Sequence, residues 1–290
     1  MQRARFVATL AALTLVATAC GATSSSTGVE GITITTTTNA SSATTTPSVA
    51  AAESTFATTT AIPQPTVLDM TIEPSGWEDV TITTEDGISL YARFWPGNDV
   101  AVLAGHDFDN PAPGSSGQRP PQSSENVLPY SAAIAREGFT VLSIDFRGHG
   151  QSAGEYDVQA SQQDLAAAYA WLEAKGYETI VMMGWVGSGT SAVVLDAARD
   201  DIEFDGIAML FSPPQDTGLD FNRVIAEIEA PLLFIGSNAG PTASWSKRAE
   251  AKAANSHGVF IFERVPTGVT FLDVYGGELA GRMVDFLNAI

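Results

Sequence analysis

From Val100 onward the chain alternates short apolar runs with helical patterns, and that alternation restricts its fold more than any other feature. Val100–Ala104, Phe139–Ile144, Thr179–Met183, Gly206–Phe211, Pro231–Ile235 and Val259–Phe262 read as buried strands. Ahead of them, Val80–Ile82 and Ser89–Phe94 flank Asp86-Gly87, a hairpin signal. Ser161-x-x-Asp164 has the form of a capping box, and Leu165, Ala168, Tyr169 and Leu172 follow it on one helical face. Ser191–Ala198, Ser244–Ala254 and Leu279–Ile290 read as further helices. Strands apolar on both sides need cover on both faces. The expectation is an α/β domain over residues 67–290, with an N-terminal antiparallel hairpin and a mostly parallel sheet between helical layers. Sites in such sheets form at the carboxyl ends of the strands. Here those ends follow Ala104, Ile144, Met183, Phe211 and Ile235.

The first residues have another character. Arg3 and Arg5 precede an apolar stretch from Phe6 to Ala19. Those fourteen residues span about 21 Å as a helix, short of the roughly 30 Å of a membrane's hydrocarbon core. The pattern is that of a secretory signal. Ala17-Thr18-Ala19-Cys20-Gly21 resembles the lipobox of bacterial lipoproteins, departing from it at Ala17, where Leu or Val is usual. The resemblance implies acylation of Cys20 and attachment to the outer face of a bacterial cell membrane. Half of residues 23–66 are Ser or Thr, with no Lys, Arg or Asp and no apolar period to bury. That stretch reads as a disordered tether.

Charge excludes some partners. With 33 acidic and 14 basic residues the formal net charge is −19, so the basic footprint of a nucleic-acid binder is missing. Cys20 is the one cysteine, and no intramolecular disulfide or thiolate metal cluster can form. The imidazoles are His106, His149 and His257.

Asp145-Phe146-Arg147-Gly148-His149-Gly150-Gln151-Ser152 follows one strand, and Gly184-Trp185-Val186-Gly187-Ser188 follows the next. The first resembles the D-x-R-G-H-G-x-S loop of α/β-hydrolases; the second is similar to their nucleophile elbow, Gly-x-nucleophile-x-Gly. The element order from Val80 to Ile290 is similar as well, over about 210 residues. The resemblance implies a serine nucleophile at the apex, an acid after the strand ending near Ile235 and a histidine after the last strand. In register, the apex holds Val186, which has no atom able to attack a carbonyl. The acid loop, Gly236-Ser237-Asn238-Ala239-Gly240, has no carboxylate. The final loop, Val265–Thr270, has no histidine, and Gly268 falls at its place. His257 precedes the last strand and belongs at the opposite edge of the sheet.

What remains is scaffolding. Gly105-His106-Asp107-Phe108 stands where the family builds half its oxyanion hole, and the Gly187 N–H would supply the other half. His106, Asp107, Phe108, Val186 and Gly187 are the candidate ligand cleft. Asp145, Arg147 and His149 are expected to brace their loop by hydrogen bonds. Ser188 is expected as the small residue at the helix–strand contact. The sequence favours a tethered, non-catalytic hydrolase-like domain with a small-molecule or cell-envelope ligand. Two alternatives stay open: a relocated hydrolase using Ser188 with His149 or His106, and a metal site from His106, Asp107 and Asp109. No cofactor is expected, since a dinucleotide glycine fingerprint is missing and Gly187-Ser188-Gly189-Thr190 lacks the lysine of a phosphate loop. The short segment Ser212–Glu229 leaves little room for a lid, so the cleft is expected to be open.

Overall fold

The computed structural model describes residues 66–108, 122–216, 218–265 and 270–290. The expected signal sequence, Cys20, the expected tether as far as residue 65, Asp109 and Gly268 lie outside the described residues.

The chain enters through the hairpin of β1 (Glu78–Thr83) and β2 (Ser89–Trp95), then runs through β3 (Val100–Gly105), α1 (Leu128–Arg136) and β4 (Thr140–Ile144). Next come α2 (Ser161–Ala174), β5 (Thr179–Trp185), α3 (Gly187–Ala198) and β6 (Gly206–Leu210). A short hairpin, β7 (Gln215–Asp216) and β8 (Leu219–Asp220), precedes β9 (Leu232–Ser237), α4 (Thr242–Glu250), β10 (Ser256–Phe262) and α5 (Phe271–Leu287). Among the described residues eight strands form one sheet, in the order β1-β2-β4-β3-β5-β6-β9-β10. β1 and β2 pair antiparallel, β2 joins β4 antiparallel, and every later pairing is parallel. This is the α/β-hydrolase arrangement.

Alternate strand residues feed two separate cores, which is why the strands read as unbroken apolar runs. Leu103, Leu142, Met182 and Phe234 pack with Leu165 and Leu172 of α2 and Val193 of α3. Val102, Val141, Val181 and Leu233 pack with Ile134 of α1 and with Leu279, Met283 and Phe286 of α5.

The sequence expectation differs from this structure at several helices. α1, which the sequence expectation lacks, is nine residues long and buries Tyr130 through Ile134 in unbroken succession. The capping box at Ser161 does not form. Ala160 occupies the cap position, the Ser161 hydroxyl donates to Val158 O at 2.5 Å, and the Asp164 carboxylate turns to Arg147 instead. α3 begins at Gly187, ahead of the expected Ser191. α5 begins at Phe271, ahead of the expected Leu279, and runs through Gly276, Gly277 and Gly281. Each helical glycine costs roughly 1 kcal/mol of helix propensity, and here they make room. Residues 66–70 lie along α5 as a strap; a Cβ on Gly281 would stand 1.6 Å from Thr66 O. The strap is fixed by Thr66 Oγ1 donating to Asp285 Oδ1 at 2.7 Å and by Leu68 N–H donating to Gly277 O at 3.0 Å.

Candidate functional site

The turn between β5 and α3 is a single residue long. Val186 fills it at φ 53° and ψ −111°, in the left-handed half of backbone space. For a β-branched residue this is strained, at a cost of about 1–3 kcal/mol. The Val186 N–H donates to Leu210 O at 2.7 Å and ties the apex to β6. The tight turn demands small neighbours: a Cβ on Gly184 would stand 2.3 Å from the Gly189 Cα. Gly189 meets β5 at this turn, and Ser188, as expected of a small residue at a helix–strand contact, packs against β3, where a Cβ on Gly105 would stand 2.9 Å from the Ser188 Cβ.

Ser188 points elsewhere. It is fully buried, and its hydroxyl lies 2.9 Å from Gly105 O and 3.0 Å from Trp185 O. A serine whose one proton goes to main-chain carbonyls, and whose oxygen is closed off from solvent, offers no attacking atom to a substrate. The two imidazoles proposed as its base are also engaged. His106 is fully buried; its Nδ1–H donates to Asp107 O at 2.5 Å and its Nε2 accepts from Phe146 N–H at 3.1 Å. These partners fix the neutral Nδ1–H tautomer and leave no ring lone pair for a metal ion. The described residues contain no group of three His, Cys, Asp or Glu side chains suited to a metal. His149 donates from Nδ1 to Arg147 O at 2.9 Å, and the two imidazole rings lie 5.1 Å apart. His257, exposed at the start of β10, stacks against Phe286 at 4.8 Å.

The D-x-R-G-H-G-x-S loop is a bracing network. Asp145 is 2% exposed. Its Oδ1 accepts from Ser124 N–H at 2.6 Å and its Oδ2 from Gln151 N–H at 2.8 Å. Gly150 permits this, since it sits at φ 51° and a Cβ there would stand 2.0 Å from Asp145 Oδ2. Arg147 spans two carboxylates, with Nε on Asp164 Oδ1 at 2.9 Å and Nη1 on Asp86 Oδ2 at 2.7 Å. The guanidinium holds the Asp86 carboxyl down at about 2. Burial pushes the Asp164 carboxyl up, against the pull of Arg147.

The elbow itself is crowded where an open cleft was expected. Phe108 is 2% exposed and meets Phe146 edge-on at 4.9 Å. A Cβ on Gly187 would stand 2.4 Å from Phe108 Cδ2 and 2.5 Å from Asp216 Oδ2 of the β7–β8 hairpin. Asp216 carries no motif and was not legible as a neighbour of the elbow. Asp107 Oδ1 accepts from Phe108 N–H at 2.8 Å and from Gly187 N–H at 3.4 Å. Aromatic rings line the ends of β5, β6 and β10: Trp185 lies 5.0 Å from Tyr130 and 5.4 Å from Phe211, and Phe271 lies 5.3 Å from both Phe211 and Phe262. After β9, Asn238 Nδ2 donates to Glu263 Oε1 at 3.1 Å. A cavity of about 380 Å³ lies away from the elbow, between β1 and α2, against Thr81, Thr83, Ala166, Ala170 and Trp171.

Residues 109–203 match the family model of X-Pro dipeptidyl-peptidases (S15 family), a segment that contains β4, α2, β5 and the elbow. No curated protein sequence matches the chain. Among solved structures, an esterase of Pyrococcus furiosus is similar at 18% identity and a TM-score of 0.56, covering 76% of this chain and 92% of that one. An esterase from Rhodococcus sp. is similar at 13% identity and a TM-score of 0.54, covering 74% and 99%. An α/β serine hydrolase homologue from Coxiella burnetii is similar at 18% identity and a TM-score of 0.55, covering 74% and 97%. At such identities the likeness speaks for the fold.

Proposed function

We propose that this chain is a surface-tethered, non-catalytic α/β-hydrolase-like domain with a binding or structural role in the cell envelope. The observation that carries the reading is Val186. It holds the strained apex of the elbow, where an acyl-transfer enzyme needs an attacking oxygen, and carries only an isopropyl group. The other features agree in direction. Ser188 spends its hydroxyl on main-chain carbonyls, the loop after β9 carries no carboxylate, and the loop after β10 carries no histidine.

The tethering half of the proposal rests on sequence: a basic start, a short apolar stretch, Cys20 and a Ser/Thr-rich run that provides reach. Two acyl chains at Cys20 make stable anchoring physically adequate. The acidic domain is expected to stand off anionic membrane surfaces and to engage a small or envelope-derived ligand.

A fluorophosphonate probe and a panel of short acyl esters test the catalytic half. The expected outcome is no labelled serine and hydrolysis at the level of buffer; a stoichiometrically labelled serine overturns the reading. Palmitate labelling in a bacterial host tests the anchor, with label expected on the wild type and lost in Cys20→Ala. Label that survives that substitution defeats the lipoprotein assignment.

A further inference from the structure

The backbone donors at the elbow are already engaged. Gly187 N–H, the first of α3, and Phe108 N–H, from the loop after β3, converge on one oxygen, Asp107 Oδ1, at 3.4 and 2.8 Å. The shorter contact is a full hydrogen bond; the longer is a weak one that still directs the carboxylate toward the helix. α3 has no acidic side chain in its first turn, and Val186 gives it no side-chain cap. The negative charge that a helix N-terminus favours therefore arrives from another element of the fold. His106 fixes the loop that delivers it. Its buried ring donates to the main-chain oxygen of Asp107 itself and accepts from Phe146 N–H. From the far side, Asp216 Oδ2 and the Phe108 ring close over Gly187.

We propose that Asp107 is a built-in plug: its carboxylate fills the anion nest at the elbow and keeps external anions and carbonyl oxygens out. In an acyl-transfer enzyme those donors must be free to receive the oxyanion as it develops. Here an internal anion satisfies them in the resting protein. An incoming carboxylate or ester carbonyl must displace that charge and also face Asp216. The inference rests on the non-catalytic reading and deepens it, because it names the group that closes the nest. It also predicts that installing a serine at position 186 leaves the elbow unable to bind a carbonyl while Asp107 remains.

The test is titration of the folded domain with sodium sulfate at constant ionic strength, followed by amide ¹H–¹⁵N shifts. In the wild type, Gly187 and Phe108 are expected to show no saturable response. In Asp107→Ala both amides are expected to shift saturably, at sulfate concentrations about tenfold or more below any at which the wild type responds, the scale of a charge at a helix terminus. Asp107→Ser, which keeps an acceptor for Phe108 N–H but is too short to fill the nest, is expected to behave like Asp107→Ala. A saturable response at Gly187 in the wild type equal to that of the variants overturns the plug. So does the lack of any response in both variants when their spectra show the native fold. Probe labelling of a serine would sink the non-catalytic reading and leave this titration readable; equal sulfate responses would sink the plug and leave the labelling result standing.

Discussion

The loop from Asp145 to Ser152 and the turn at Val186 sit on neighbouring parts of the same sheet edge, yet they have kept different things. The loop keeps its residues and their work. Asp145 satisfies two backbone N–H groups, Arg147 bridges Asp86 and Asp164, and Ser152 Oγ donates to Asp145 O at 2.6 Å. The turn has the shape without a polar side chain. Val186 adopts the apex conformation and Gly184 closely approaches Gly189, but the apex carries only an isopropyl group. Buried polar bracing is expensive to disturb, because each orphaned group carries its full desolvation cost. The apex side chain is no part of such a hydrogen-bonded network. The scaffold and the chemistry of this fold are therefore separable, and the polar loop belongs to the scaffold.

Experiments can break that separation, beginning with the largest effect. Asp164→Ala leaves the buried Arg147 guanidinium with Asp86 as its remaining carboxylate partner and is expected to cost about 2–3 kcal/mol in urea unfolding. A loss below about 1 kcal/mol would mean the network is not structural. Val186→Gly removes the strain of a β-branched residue at positive φ and is expected to raise stability by about 1 kcal/mol. A fall in stability would show that the isopropyl group packs better than the backbone suffers.

Acid unfolding sharpens the comparison further. The Asp86 carboxyl is held down at about 2 by Arg147. A depressed carboxylate contributes stability that is present above its unfolded value, near 4, and lost as pH falls through the folded value. Asp86→Asn is expected to flatten the drop in unfolding midpoint between about pH 4 and pH 2, and an unchanged acid limb would contradict the pairing. Asp164 has the opposite sign. Burial raises its folded value, so that contribution is present at low pH and fades as pH rises. The smallest global effect is expected from Gly281→Ala. The new methyl would evict Thr66, while helix propensity returns roughly 1 kcal/mol. Hydrogen exchange should show Leu68 losing protection while the core strands keep theirs.

The sheet was legible because its central strands are buried on both faces and separated by clear helical stretches, and the strand cores from Val100 to Phe262 fall where the apolar runs lie. Helix starts were not. α1 is a short helix of nine residues, α3 opens with glycines that serve a close approach, and the glycines of α5 serve a strap that only the tertiary structure reveals. The apex register at Val186 was readable from spacing alone. The crowding around it was not. Asp107 stood out only as a neighbour of His106, and Asp216 reaches Gly187 through a hairpin that carries no periodic signal. Likewise the Ser161 and Asp164 pair matches a local capping pattern, but the long-range demand of a buried arginine claimed the carboxylate.

The trough on α5 has a mechanical corollary. Among the described residues, a pull on the chain from its N-terminal side loads the contact of Thr66 with Asp285, then that of Leu68 with Gly277. The contacts lie in series along one helix, so they part singly, like a zip, and the sheet behind them is spared. Detachment should accordingly begin as a graded release of the strap, residues 66–70, rather than as cooperative unfolding.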